Sequence, residues 1–209
     1  IKPVKEILFQ IDSTIHTASE FDPFLSERTF KIAMSSYSAE VLMPGLARKL
    51  ATSYSGIACV VEEIYSESLA RVKKGVIDCC ITFQQTKYLN PRESIEDLSI
   101  THAFSDEWML IASAGNGLVA ETMSYEDFCA LRYVETRLGG ILPSFVETTL
   151  ERQNSRPRAS MSVPSFELAI TSVINSDCVA VVPSLLVDDH LHSSLKMFKP
   201  PFEMPTLEE

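Results

Sequence analysis

The 209 residues carry 18 Lys plus Arg against 28 Asp plus Glu, a formal charge of −10, and 45% of them are apolar. That is chain enough for one large domain or two small ones with a buried core, and too apolar for disorder. The acidity excludes a nucleic-acid grip by this chain alone, because phosphate contacts need a basic face.

In chain order, Ile7, Leu8, Ile11 and Ile15 stand at helical spacing with no Gly or Pro after Pro3. This predicts the end of a helix whose apolar stripe has nothing obvious in the chain to pack on. Pro23 biases Asp22 away from helix and breaks it. Phe30, Ile32 and Met34 alternate with Lys31 and Ser35 as a strand does. Leu42, Leu46 and Leu50 share one helical face, with Arg48 and Lys49 on another. Pro44 is expected near the start of that helix, where its missing N–H costs least. Residues 57–64 read as a second strand and 67–74 as a short helix, closed by two lysines and Gly75. Ile77 to Phe83 is almost wholly apolar and is expected to be a strand covered on both faces, as in a parallel sheet. Strand and helix alternating in this way give an α/β unit with right-handed crossovers.

After an irregular stretch from Gln84 to Asn90, residues 100–104 and 108–112 read as two strands. A second alternation then starts. Gly115-Asn116-Gly117 makes a turn, and Ser124 with Asp127 three residues on resembles a capping box. Strands are expected at 133–136, 158–163 and 178–182, and helices at 144–153 and 166–175. The Pro200-Pro201 and Pro205 tail should be extended. The restart predicts two α/β lobes rather than one sheet. Residues 1–100 hold 11 basic and 13 acidic side chains, whereas 101–209 hold 7 and 15, so the second unit is the poorer surface for DNA or an anionic membrane. No stretch approaches the roughly 18 apolar residues of a membrane span, and no secretion signal opens the chain. A start at Ile1-Lys2-Pro3 without Met suggests a piece of something longer. Cys59, Cys79, Cys80, Cys129 and Cys178 are odd in number and lie in apolar runs, which predicts buried free thiols in a reducing cytoplasm.

Catalytic and metal motifs are missing. There is no G-x-S-x-G, no phosphate-cradling glycine loop and no H-E-x-x-H. Cys79 and Cys80 are adjacent on a strand, so they face opposite ways and cannot share a metal. His190 and His192 would make half a metal site without a third ligand nearby, and surface histidines are the plainer reading. No metal and no cofactor are expected, and nothing favours a dispersed Ser-His-Asp triad. What the chain offers is polar loops after strands, where an open α/β sheet receives ligands on exposed N–H groups. These are Ser35-Ser36-Tyr37, Thr82-Phe83-Gln84, Thr136-Arg137-Leu138-Gly139 and Pro164-Ser165-Phe166. Ser35, Ser36 and Ser165 read equally well as helix caps, a role that leaves the capped N-terminus facing the cleft. Arg137 is either a carboxylate clamp or a solvated charge. The residues alone imply a two-lobed α/β binding protein with a cleft.

The segment FDPFLSERTFKIAMSS (residues 21–36), continuing YSAE and VLMPGLARKL, closely resembles the effector-binding domain of LysR-type transcriptional regulators. The likeness is to the branch of nodulation and salicylate regulators and LeuO-like proteins. LARVKKGVIDCCITF (69–83), DEWMLIAS (106–113), MSYEDFCALRYV (123–134) and SVINSDCVAVVPSLL (172–185) follow in family order. The resemblance implies two Rossmann-like lobes of the type 2 periplasmic-binding-protein kind, with a small effector between them. Residues 1–24 would be the end of a linker helix and its connector, 25–108 lobe I, 109–203 lobe II, and 204–209 the start of a return to lobe I. A winged helix-turn-helix for DNA would precede Ile1, and the final strand and helix of lobe I would follow Glu209. By position, Ser35, Ser36, Tyr37, Thr82, Phe83, Thr136, Arg137, Leu138, Gly139, Ser165 and Phe166 would contact the effector, and Pro183 would line the cleft. Many relatives have a small or acidic residue where Tyr37 stands.

The resemblance also implies antiparallel homodimers, with the helix near 40–53 and strand 57–64 of one copy against the helix near 144–153 and strand 158–163 of the other. Val146 and Leu150 are expected to be exposed there, or else to face their own lobe. A tetramer is implied for the full-length protein. The chain is thus expected to be the cytoplasmic sensor and oligomerisation half of a regulator, not an enzyme, that touches DNA only through a domain outside it and no membrane. Tyr37, Phe83 and Phe166 beside Arg137 suggest a small aromatic or acidic effector. A transporter's solute-binding protein would share the fold, but needs export; an enzyme on the same scaffold would need a catalytic constellation.

Overall fold

The computed structural model describes residues 4, 7, 21–82, 95–138, 142–187, 191 and 193–209. Val4 and Ile7 are helical and exposed; Leu8, Ile11 and Ile15 lie outside the described residues, as do Gln84 to Asn90, His190 and His192.

Lobe I is built on β1 (Thr29–Met34). It pairs in parallel with β2 (Ala58–Glu63) over its whole length, Thr29 opposite Ala58 and Met34 opposite Glu63. On its other side it takes β3 (Cys79–Cys80), Ile32 opposite Cys79. Helix α1 (Ser36–Ser53) leaves β1 at Ser35, whose hydroxyl accepts the Ser38 N–H at 3.1 Å. That cap starts the helix earlier than the leucine spacing suggested, so Pro44 falls inside it rather than at its start. Pro44 is on the exposed side, where the carbonyl that lacks its N–H is open to water. Helix α2 (Ser68–Lys73) ends in Gly75 at φ 64°, the left-handed closure expected there. Its Arg71 grips Glu62 of β2 with two guanidinium nitrogens.

Two expectations fail. Among the described residues 77–82 only Cys79–Cys80 is strand, and Cys79 is exposed. β3 is an edge of the sheet β2-β1-β3 among the described residues, and an edge strand has a neighbour on one side only, so its pairing with β1 is all that holds it as strand. The five cysteines are free, but none is fully buried. Burial nevertheless pushes the Cys80 thiol up to about 12, which leaves it inert as a nucleophile.

Residues 100–104 are not strand. The strand is β4 (Ser105–Asp106), paired antiparallel with β11 (Leu207–Glu208) out of the proline-rich tail. This two-stranded ribbon runs between the lobes. Lobe II is a sheet in the order β10-β5-β9-β6-β7, with β8 on β6. Its strands are β5 (Trp108–Ser113), β6 (Arg132–Leu138), β7 (Leu142–Pro143), β8 (Arg158–Val163), β9 (Cys178–Pro183) and β10 (Leu195–Phe198). β5 is antiparallel to β9 and β10, and β6 is parallel to β8 and β9. Three helices cover it: α3 (Tyr125–Cys129), α4 (Phe145–Leu150) and α5 (Phe166–Val173). The capping box at Ser124 and Asp127 is present. α5 stops where Asn175 takes φ 57°, a conformation asparagine tolerates.

β5 and β9 supply the apolar runs Leu110-Ile111-Ala112 and Val179 to Val182, and all of these are buried. Phe128, Tyr133 and Phe202 pack ring on ring beneath them, with centroids 5.5–5.9 Å apart. Val146 and Leu150 belong to this core, at 0% and 1% exposed, so they face their own lobe and not a partner. The i, i+4 pair is explained by packing of α4 on β6. Ser144, fully buried, caps α4 by accepting the Glu147 N–H at 3.3 Å. Ser144→Ala should cost about 1 kcal/mol and lower the melting temperature by about 2–4 °C; an unchanged thermal scan would mean that the cap bond contributes nothing.

Candidate functional site

The C-terminal ends of β1 and β3 lie together, since the Ile81 N–H donates to the Ala33 carbonyl at 2.9 Å. This brings Ser35, Ser36 and Thr82 to one edge of lobe I. Opposite them are the N-terminal ends of α4 and α5 and the end of β9. The lobes meet at Tyr37, which is only 1% exposed. Its ring packs on Phe104 at 5.9 Å and on Phe166 of α5 at 6.5 Å. Its hydroxyl donates to Asp106 Oδ2 at 2.7 Å. Burial is the chief reason, ahead of that bond to Asp106, that the phenol is pushed far above its ordinary range.

Phe166 continues an aromatic wall into lobe II. Trp108 lies 5.7 Å from it edge to face and stacks on Phe145 at 6.4 Å. Pro183 sits opposite Trp108 in the ladder, and Ser165 caps α5 by accepting the Leu168 N–H at 3.4 Å. The structure therefore gathers Tyr37, Phe166 and Pro183, with Ser35 and Ser165 as caps beside them, as caps were one reading of these serines. Phe83 and Gly139 lie outside the described residues.

The Thr136 segment differs from its expectation as a loop. β6 runs on to Leu138 because Arg137 and Leu138 pair with Pro143 and Leu142. Thr136 is buried; its N–H donates to Glu147 Oε1 at 3.1 Å and its carbonyl accepts the Ser144 N–H at 3.2 Å. Arg137 and Glu135 share a face of β6, as alternate residues must, and the Arg137 Nε pairs with the Glu135 carboxylate. Neither of the two readings left open for Arg137 had foreseen that partner.

Four residues of the junction escaped the sequence reading. Asp106 gathers Tyr37, the Ser184 hydroxyl and the Leu185 N–H (3.1 Å) on one carboxylate. The Trp108 indole N–H is buried without a partner among the described residues. Glu209 accepts the Ser38 hydroxyl at 3.1 Å, and burial pushes its carboxyl up to about 7. Glu167, in the first turn of α5, stands close enough to Glu63 at the end of β2 to raise its carboxyl, after burial, the larger cause. Only Trp108 and Asp106 left a trace beforehand, within the DEWMLIAS segment. Among the described residues, no group of three His, Cys, Asp or Glu is placed to hold a metal ion, and no helix is long and apolar enough to cross a membrane.

The geometry is thus two α/β lobes, a two-stranded connection and an aromatic-lined junction where strand ends and helix N-termini converge. Among solved structures, this fold is similar to that of a probable transcriptional regulator from Pseudomonas aeruginosa, with a TM-score of 0.82 at 20% identity over 99% of this chain and 67% of that one. It is also similar to the regulatory domain of MexT, a transcriptional activator in Pseudomonas aeruginosa, with a TM-score of 0.67 at 22% identity over 88% and 86%. Among curated proteins, Nodulation protein D of Azorhizobium caulinodans is 25% identical over 99% of this chain and 64% of its own length. The HTH-type transcriptional activator NahR of Pseudomonas putida is 23% identical over 90% and 60%. The chain therefore spans somewhat under two thirds of the length of these two relatives. The family model described as LysR substrate binding domain matches residues 25–207, and the chain belongs to that family.

Proposed function

We propose that this chain is the effector-sensing and oligomerisation half of a LysR-type transcriptional regulator, with DNA contacted only through a winged helix-turn-helix outside it. The observation that carries this is the junction at Tyr37, where one side chain of lobe I meets Phe166 of lobe II and Asp106 of the connecting ribbon. A molecule entering there must alter that contact, and so bias the angle between the lobes. Lobe I would be 25–108, lobe II 109–203, and 204–209 the return toward lobe I, with 1–24 as linker. The protein would work in the cytoplasm. Transport of a solute is the weaker reading, because the curated relatives named above are a nodulation protein and a transcriptional activator.

The aromatic wall supports an aromatic ligand. Tyr37, Phe166, Trp108 and Phe145 suit a planar ring, and the unpartnered Trp108 N–H suits an oxygen acceptor on it. We assign Ser35, Ser36, Thr82 and Ser165 to its polar contacts, and Arg137, which pairs with Glu135 through its Nε, to a carboxylate if the effector has one. A thermal-shift series should then give a saturable rise with aromatic carboxylates and none with sugars; a sugar alone raising the melting temperature would overturn the reading. Arg137→Ala should weaken an aromatic carboxylate about tenfold, the worth of roughly one charge-assisted hydrogen bond. Unchanged affinity by calorimetry would remove it from the site.

Pairing of two copies would use the exposed strands. Val60 on β2 is 46% exposed and Met161 on β8 is 49% exposed, and each strand is an edge of its sheet among the described residues. These edges, with α1 and α4 beside them, fit an antiparallel homodimer, and a tetramer in the full-length protein.

A further inference from the structure

Lobe II holds a cavity of about 390 Å³ between β6, α4 and the start of β8, away from the aromatic wall. That is within the size range of small-molecule sites. Tyr133, Glu135 and Glu147 lie on its inner side, and Arg156 and Arg158, both exposed, on its rim.

Glu147 is the unusual residue. It is 4% exposed, and its Oε1 accepts from the Tyr133 hydroxyl at 3.0 Å and the Thr136 N–H at 3.1 Å. Its other oxygen, Oε2, takes no hydrogen bond from any described residue. The neighbouring Glu135 has its cation in Arg137; Glu147 has none in contact among the described residues. Burial pushes its carboxyl up to about 7 although the two hydrogen bonds and the more distant Arg137 pull it down. A buried carboxylate with one open oxygen and no counter-ion, facing a cavity, is complementary to a compact donor of positive charge. At the rim the signs reverse. Arg156 stands 3.9 Å from Glu151, and Arg158 has no ion-pair partner among the described residues. An anion alone would meet Glu135 and Glu147; a cation alone would leave both guanidiniums unused.

We infer that this cavity is a second ligand site, for a small zwitterion whose ammonium sits on Glu147 Oε2 and whose acidic group reaches Arg156 and Arg158. An ammonium suits the inner end better than a guanidinium because it is compact and donates in three directions. The site is separate from the aromatic junction and does not depend on what binds there; α4 and the start of β8, which line it, also border the face proposed for pairing, so the tests use the protein in its native oligomeric state.

Three isosteric probes test it at pH 8 by calorimetry: 5-aminopentanoate, pentylamine and pentanoate. The zwitterion should saturate one site, the amine should bind at least tenfold more weakly, and pentanoate should not bind. Glu147→Gln keeps an acceptor for Tyr133 and Thr136, and should weaken both zwitterion and amine at least tenfold. Arg156→Ala with Arg158→Ala, both on the surface, should bring the zwitterion down to the affinity of the amine and leave the amine unchanged. Absence of saturable 5-aminopentanoate binding would overturn the inference, as would unchanged affinity in Glu147→Gln. If that variant fails to fold by circular dichroism, the double arginine variant decides, and unchanged zwitterion affinity there overturns it equally.

Discussion

Asp106→Ala should cost about 3–5 kcal/mol of stability, because a hydrogen bond to a charged acceptor is worth roughly 1.5–3 kcal/mol and at least two are lost together. For a chain of this size the melting temperature should then fall by about 6–20 °C. The carboxylate is 5% exposed and serves three groups from different parts of the chain: the Tyr37 hydroxyl from lobe I, and the Ser184 hydroxyl and Leu185 N–H from the turn after β9. It also accepts the Glu107 N–H at 2.7 Å. Alanine would leave the buried Tyr37 hydroxyl unpaired and take the acceptor from the half-buried Ser184 hydroxyl and the Leu185 N–H, and an unmade bond costs more than a made one contributes. Asp106→Asn keeps an acceptor and should lose about half as much. Tyr37→Phe should lose about 1–2 kcal/mol, and the double variant Tyr37→Phe with Asp106→Ala less than the sum of the two, because they share a bond. An additive double variant would show that Tyr37 and Asp106 do not act together. Under the proposed function, the same network would couple a ligand to the lobe angle at Tyr37: a molecule that takes the place of the ring must also find a donor for Asp106.

Lobe I shows which kind of information a sequence of this type carries. β1 was readable because Phe30, Ile32 and Met34 alternate, and α2 because Gly75 closes it. The extent of β3 was not, because an apolar run says nothing about whether its strand ends up in the middle of a sheet or at its edge. α1 was read from its leucines and so started late; the Ser35 cap was present in the sequence but competed with Pro44 as the start signal. For the site, the serine caps and the aromatic partners Tyr37 and Phe166 were visible as loops after strands. Asp106 was not. It lies in a two-residue strand that exists only through pairing with Leu207–Glu208, about a hundred positions away, and local pattern cannot report such pairing. The ion pair of Arg137 was illegible for a related reason: its partner Glu135 is two residues away, on the same face only once the segment is known to be strand and not loop. Glu147 gave no signal, since burial of a carboxylate is a property of the lobe around it.

Glu147 should make the protein less stable as pH rises from 5 to 8. Its carboxyl titrates near 7 in the folded chain against 4.5 for the free group, so between those values the folded state holds a proton that the unfolded state has released. With more protons bound in the folded state, the slope of stability against pH is negative. The contribution is fully present below about pH 4.5, is lost as pH climbs through 7, and is flat above. A shift of this size corresponds to a loss on the order of 3 kcal/mol. Burial sets the shift; the Thr136 N–H and Tyr133, which donate to the carboxylate, and Arg137, which attracts it at a distance, pull it back, and Glu135 repels it. Urea unfolding of wild type and Glu147→Gln at pH 5 and pH 8 isolates the effect, because Glu209, also raised to about 7, contributes to both proteins alike and cancels. Wild type should lose on the order of 3 kcal/mol more than the variant over that span. Parallel pH dependences would mean that the carboxylate is solvated or paired when charged. If the loss is seen, saturating 5-aminopentanoate at pH 8 should restore more stability to wild type than to Glu147→Gln, because its ammonium supplies the missing counter-charge only where the charge exists.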